Sequence, residues 1–309
     1  RYNLYDINGN LTWVLFLGTP VQPGFYNYHP NTENKTLNRH HDSWIIPGGL
    51  FPDTEIGDKL ILAMGSHFLN AEEAWDLGRN PEYGSSDFES GFVHILKINE
   101  ENGIPTEYDD LGGADILWEW YMTDHFVQDL DPSKENYVDN ISNHPNKINI
   151  NLLGEGGLPD NFDFTHLNTI HYNPHIGEMG SIVISSRTMG DGEWFVIDIE
   201  TGNIIFRCCN PPNWGVGDQS DRITNHQHSA LWIPEGYPYE GEMIFFNNDG
   251  TPSACYPECQ SEPTFGYCCM EDESNEVYGQ CGSWGVDYCG QNIIGNGPSQ
   301  VIKVLPTYD

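Results

Sequence analysis

Two kinds of hydrophobic phrase alternate along the chain, and helical periodicity is nearly absent. The first phrase is a strand with apolar residues at every second position, a turn containing Gly, and a second strand ending on an aromatic stretch. It occurs at Asn3–Phe16 (NLYDINGNLTWVLF), at Phe92–Trp120 with a longer turn, and at Trp194–Arg207 (WFVIDIETGNIIFR); Ser299–Asp309 (SQVIKVLPTYD) reads as the opening half of another copy. The second phrase opens on histidine and runs through a turn into an apolar strand. It occurs at His40–Met64, Asp163–Ser186 and His226–Asn248. Joined in alternation, the phrases predict four-stranded antiparallel units repeated about three times. That is the pattern of an all-β protein of the β-propeller type, in which each blade covers its neighbour. A β-sandwich would also consume these strands, but it does not account for a histidine opening each second phrase. The one helical signal, Asn70–Gly78 (NAEEAWDLG), predicts one or two turns inside a loop.

The repeat runs from end to end, so residues 1–309 read as a single propeller domain. It carries long insertions at 70–90 and 123–158, a shorter interval at Asn210–Asn225, and a Cys-rich insertion at 251–290. The stretch Asp124–Asn151 is rich in Asp and Asn and could wrap a pore mouth or hold Ca²⁺, although its spacing matches no EF-hand. Three full units with partial phrases at both ends do not close a propeller. The preferred expectation is therefore that the sequence covers part of a longer protein, the alternative being a divergent blade hidden in an insertion. Its start at Arg1, without Met or signal peptide, reads as a mature or trimmed product. Unclosed ends would expose strand edges on which copies could self-assemble.

Charge narrows the partners. Asp and Glu number 46 against 12 Lys and Arg, a net charge of −34. Such a surface repels nucleic acid and anionic membranes, and no stretch approaches the roughly 20 apolar residues of a spanning helix. Eight cysteines, Cys208, Cys209, Cys255, Cys259, Cys268, Cys269, Cys281 and Cys289, all lie in the last third of the chain. Their even count and density predict disulfides and a stapled loop in an oxidising compartment, hence a secreted or extracellular protein, periplasmic if bacterial. Zinc competes through the Cys255/Cys259 spacing, but two vicinal pairs and the lack of a CxxC weaken it. Sequons at Asn10, Asn34 and Asn140 agree with secretion and predict a glycoprotein.

The candidate chemistry follows from the repeat. In a propeller the innermost strand of each blade lines the axis, so equivalent positions converge although they are far apart in sequence. His41, His166 and His228 open the same phrase in successive units, and Arg187 ends a strand that starts beside His166. A lone histidine at a strand start is commonly a satisfied structural group; three in register with an arginine are a pocket. Three imidazoles could also hold zinc or copper. The fixed cation of Arg187 disfavours a dication and suits a tetrahedral oxyanion better, so no metal is assigned.

Several segments resemble the PAPS-independent aryl-sulfate sulfotransferases: HHD at 40–42, DFTHLNTI at 163–170, ISSR at 184–187, VIDIETGNIIFR at 196–207, HQHSALWIPEG at 226–236 and FFNND at 245–249. AEEAWDLGRNP at 71–81, WEWYMTDHFVQDLDPSKENY at 118–137 and HPNKININ at 144–151 are similar to a long-loop branch of that family. The resemblance covers most of residues 36–250 in order. It implies a six-bladed propeller with an axial pocket, an enzyme needing no cofactor, and aryl sulfates and phenols as substrates. It also implies that His228 is the transiently sulfated nucleophile, with His41, His166 and Arg187 as its catalytic pocket partners; separately, Asn168 and His40 are read as substrate contacts, Asn168 either orienting an imidazole or serving as a turn amide. This chain departs from the family pattern at Ser229, where an acidic residue usually follows the nucleophile, and at Cys208–Cys209, where a Trp-Gly pair is common. The expectation to set against sulfuryl transfer is a non-enzymatic secreted propeller, structural, fibre-forming or glycan-binding, that keeps a relic pocket.

Overall fold

The computed structural model describes residues 2–5, 8, 11–15, 19–22, 25–27, 36–98, 114–153, 159, 162–218, 221–248, 300–304 and 306 of the chain. Along 2–5, 11–15, 19–22, 25–27, 36–40 and 300–302 the backbone alone is described. The structure is mostly antiparallel sheet. Strands β1 (Tyr2–Tyr5) and β2 (Leu11–Leu15) form a hairpin. Six consecutive strands form the largest sheet: β3 (Thr19–Gln22), β4 (Phe25–Asn27), β5 (Thr36–Pro47), β6 (Lys59–Leu69), β7 (Phe88–Ile98) and β8 (Ala114–Tyr121). Two short parallel strands follow, β9 (Phe126–Val127) and β10 (Ile148–Asn149). A four-stranded sheet contains β11 (Leu167–Asn173), β12 (Ser181–Ser186), β13 (Glu193–Asp198) and β14 (Ile204–Cys208), and a three-stranded one β15 (His228–Trp232), β16 (Met243–Asn247) and β17 (Gln300–Val304).

The sequence phrases map onto these strands. Each histidine phrase is a hairpin: β5–β6, β11–β12 and β15–β16. Each alternating phrase supplies the next pair, β7–β8 and β13–β14, while Ser299–Asp309 supplies β17 alone. The β3–β4 hairpin, which pairs onto β5, was not anticipated from the pattern.

Strands in the middle of these sheets are apolar on both faces, because they are covered on both. Every residue of β12 and β13 is buried. One core fills the space between the six- and four-stranded sheets, with Leu62, Val93, Ile95, Leu167, Ile184 and Phe195 at its centre. A second lies between the four- and three-stranded sheets and contains Val183, Trp194, Ala230, Met243 and Phe245. The sheets thus stack in series, each burying apolar residues against its neighbour, which is the main stabilising term for such a chain. Polar ties reinforce the first contact: the indole N–H groups of Trp118 and Trp120 on β8 donate to the carbonyls of Ile199 and Gly202 at the β13–β14 turn (3.0 and 2.9 Å).

Stacking leaves β11 flanked by β5 on one side and β15 on the other. These three strands carry the candidate histidines. The predicted helical turns exist as α1 (Ala71–Asp76), started by a capping box in which the Asn70 side chain accepts from Glu73 N–H and the Glu73 carboxylate from Asn70 N–H.

Residues 123–153 of the insertion are tied down by two arginines with buried side chains, together with Phe126, Ile148 and Ile150, which join the main core. Arg79, 1% exposed, donates to the carbonyls of Ile150 and Leu152 (2.5 and 2.9 Å) and packs over the rings of Tyr83, Phe88 and Phe164. Arg207 donates from Nη2 to both Glu193 carboxylate oxygens (2.6 and 2.8 Å) and from Nη1 to the carbonyl of Lys147 (2.6 Å). Several of the Asp and Asn residues that coloured this stretch serve as turn caps: Asp131, Asn140 and Asn149 accept from the backbone N–H groups of Ser133, Ser142 and Asn151. Among the described residues no group of three or more His, Cys, Asp or Glu is arranged to hold a metal ion, and no helix is long and apolar enough to cross a membrane.

Cys208 and Cys209 are disulfide-bonded to each other. The other six cysteines and the sequons at Asn10 and Asn34 lie outside the described residues. Asn140 is exposed at the start of a short 3₁₀ turn.

Candidate functional site

The starts of β5, β11 and β15 share a backbone irregularity. Their registers shift between Arg39 and Ser43, between Leu167 and Thr169, and between His228 and Leu231. At those breaks His41, His166 and Ser229 have φ of 44°, 35° and 57°, a left-handed conformation uncommon outside glycine. Each such residue costs on the order of 1–3 kcal/mol and persists only where its surroundings over-determine it. The bulges re-aim the side chains that follow the sheet's alternation elsewhere. The outcome is convergence. His41 Nε2 lies 2.9 Å from His166 Nε2, and the His41 and His228 rings stand edge-to-face with centroids 6.1 Å apart. His41 is exposed, whereas His166 and His228 are half-buried.

Each histidine is held differently. His166 Nδ1 meets the Asp163 carboxylate at 2.7 Å, so Nδ1 carries a proton and Nε2 is the atom that faces His41. One Nε2 of this pair must then donate to the other, and a single proton is shared between them. The backbone of His166 is fixed from the neighbouring sheet: Glu89 Oε2 accepts from Thr165 N–H and His166 N–H (2.7 and 3.1 Å), and its Oε1 takes the Ser66 hydroxyl. Glu89 is 2% exposed, and that burial pushes its pKa up. Asp42 beside His41 accepts from Ser43 N–H (2.8 Å) and reaches Ile170 N–H on β11 (3.4 Å).

His228 donates from Nδ1 to its own neighbour's carbonyl, His226 O, at 3.0 Å. A carbonyl can only accept, so the lone pair of the neutral ring is on Nε2. Burial first, then the charges of Arg187 and His166, lower the pKa of His228, against hydrogen bonds to the His226 carbonyl and the Asn248 side chain that raise it. The net direction keeps the ring neutral, which is the nucleophilic form. Arg187 is tied to the same place by its backbone N–H, which donates to the His166 carbonyl at 3.1 Å.

No family model, curated protein or solved structure matches this chain. The site must therefore be read from its own geometry.

Of the residues singled out in the sequence, His41, His166, His228 and Arg187 come together. Asn168 is buried and contacts no imidazole among its hydrogen bonds; its amide donates to the Gln227 carbonyl (2.6 Å) and its oxygen accepts from Thr169 Oγ1 (3.1 Å). It fixes the peptide next to His228. The His40 side chain lies outside the described residues. Sequence reasoning missed the supports. Gln227 inserts its amide into the four-stranded sheet, donating to Ser185 Oγ and to the carbonyls of Ser186 and Glu193 (3.0, 2.7 and 2.9 Å). Thr169 Oγ1 accepts from the strained Ser229 N–H at 2.7 Å. Asp42, Asp163, Thr169 and Gln227 stood inside the quoted motifs, and Glu89 stood out only as an acid within the apolar run FESGFVHILKI.

Proposed function

We propose that this chain is a β-propeller-type sulfotransferase that moves a sulfuryl group from an aryl sulfate to a phenol through a sulfohistidine at His228. The observation that carries the reading is the meeting of three imidazoles from three sheets, with Arg187 close enough for its charge to act on His228. Series stacking of antiparallel sheets, with β11 between β5 and β15, supports the propeller. A pocket with an arginine and no paired carboxylate on the nucleophile suits a donor that is itself an anion.

In the first half-reaction the lone pair of His228 Nε2 attacks sulfur and the S–O(aryl) bond breaks. The phenolate leaves with the bonding pair and takes a proton from the His41–His166 pair in its singly cationic form, departing as phenol and leaving both rings neutral. In the second half, a phenol O–H returns a proton to that pair, its oxygen attacks sulfur, and the N–S bond breaks to restore neutral His228. Arg187 offsets charge on the non-bridging oxygens, where a well-placed donor contributes roughly 3–4 kcal/mol. Asp163 keeps the His166 proton on Nδ1, so that Nε2 is the proton-transferring atom.

The test is release of a chromogenic phenol from its aryl sulfate, with and without a second phenol. Release that rises with the acceptor, disappears in His228→Ala and survives in His40→Ala supports the reading. Equal losses in both variants, or no release by folded wild-type chain, overturns it in favour of a binding or structural propeller.

A further inference from the structure

The three strands that bring the histidines together also meet further along, at Trp44, His171 and Trp232. Trp232 lies four residues beyond His228, about 13 Å of extended strand. The Trp44 and His171 rings contact edge-to-face at 4.1 Å, and the His171 and Trp232 rings lie 5.7 Å apart. Above them opens a half-enclosed groove of ≈ 670 Å³, edged by Pro174, Pro234, Glu235 and Glu240. That size falls within the roughly 300–1,000 Å³ of small-molecule sites. None of the residues proposed for sulfuryl transfer lines it.

Two observations define what fits there. Trp44 is 38% exposed, so an indole surface is presented to solvent at the groove. His171 is only 7% exposed, and its Nδ1 accepts from Trp232 N–H at 3.1 Å, which places the ring proton on Nε2. That Nε2–H meets no partner among the described residues. His171 lines the groove, so an occupant bearing an acceptor can take this N–H in place of water.

The remaining chemistry selects the occupant. No Lys or Arg lines the groove, whereas Glu235 and Glu240 do, so anions, aryl sulfates among them, are disfavoured. An ammonium has donors only and cannot satisfy the imidazole N–H. A hydroxyl both donates to carboxylate or to the Asn173 amide and accepts from His171, and the apolar C–H face of a sugar ring lies flat on an indole. We infer that this groove is a second site, separate from the histidine cluster, for a neutral polyhydroxylated ligand of saccharide type.

The experiment is calorimetric titration of the full chain with cellotriose, xylotriose, maltotriose and chitotriose up to millimolar concentration. At least one is expected to bind, with Trp44→Ala weakening it tenfold or more and Glu235→Gln threefold or more. Both substitutions are at exposed or half-exposed positions, and a wild-type melting profile shows that a loss is local. His228→Ala is expected to bind as wild type does, so this inference and the sulfuryl-transfer reading fail separately. Absence of binding by all four sugars overturns the inference. So does an affinity unchanged in Trp44→Ala, loss of binding in His228→Ala, or tighter binding of benzyltrimethylammonium or phenyl sulfate in the same groove.

Discussion

Glu89 shows how much of the site rests on residues that touch no substrate. Its carboxylate satisfies two backbone N–H groups at the strained His166 corner and one hydroxyl, all in a buried setting. Glu89→Ala would leave those donors unpaired, and a cost of about 3 kcal/mol is expected in urea unfolding. Glu89→Gln keeps an acceptor oxygen and should lose clearly less. A midpoint unaffected by Glu89→Ala would refute the support role. In the proposed mechanism Asp163 acts on chemistry rather than on folding. It is part-exposed and its bond to His166 Nδ1 selects the tautomer. Asp163→Asn permits the wrong tautomer and sets two N–H groups against each other between His166 and His41. The expected result is a fall in kcat of about 10²-fold with little change in KM for the aryl sulfate. An unchanged kcat would remove Asp163 from the mechanism. Neither role could be read from the sequence. Glu89 is 77 residues from His166 and joins it only through the stacking of two sheets. Asp163, three residues away, sat in view within DFTH, but spacing alone does not distinguish a tautomer-fixing acid from a turn cap.

At the scale of elements, strand content was legible because apolar residues recur with period 2 and the phrases alternate in order. Each histidine phrase is a hairpin, and the helical turns expected at Asn70–Gly78 are α1. What was not legible depends on contacts between elements. The hydrophobic residues of 123–153 follow no strand or helix period, yet Phe126, Ile148 and Ile150 join the main core, and Arg79 and Arg207, donors outside the segment, tie its backbone. Buried histidines of the same architecture set its response to acid. Burial lowers the pKa of His171 to about 4, and burial with the nearby Lys147 charge lowers that of His125 to about 4. In the unfolded chain both rings titrate near the usual 6.5, so between about 6.5 and 4 the unfolded state binds more protons than the folded one. Stability is therefore expected to fall as pH falls through that window. The midpoint of urea unfolding should be lower at pH 5 than at pH 7, and a flat profile would contradict neutral burial of these rings. The buried Glu89 and Glu193, whose pKa values burial raises, contribute with the opposite sign, so the profile is compared with that of His171→Gln, in which part of the fall should be lost.

For the whole molecule, the decisive quantity is the net charge of −34. It opposes the proposed substrate, since an aryl sulfate carries a negative charge and must approach a surface of the same sign. Arg187 provides a cation only at close range, whereas repulsion by the acidic shell acts over a Debye length, about 10 Å at 0.1 M salt and 30 Å at 0.01 M. Added salt should screen the shell more than it weakens a contact made inside a half-buried pocket. Between 0.01 and 0.3 M NaCl, kcat/KM for the anionic donor is therefore expected to rise several-fold, while that for a neutral phenol acceptor changes little. The same screening relieves self-repulsion in the folded chain, so the melting temperature should rise over that range as well. The two effects separate cleanly, because the stability change is indifferent to which substrate is offered. If donor and acceptor gain equally, the salt effect is on folding alone and the charge of the donor is not felt. If the donor instead loses activity as salt rises, a cationic patch outweighs the acidic shell at the pocket mouth, and Arg187→Ala should then abolish that salt dependence.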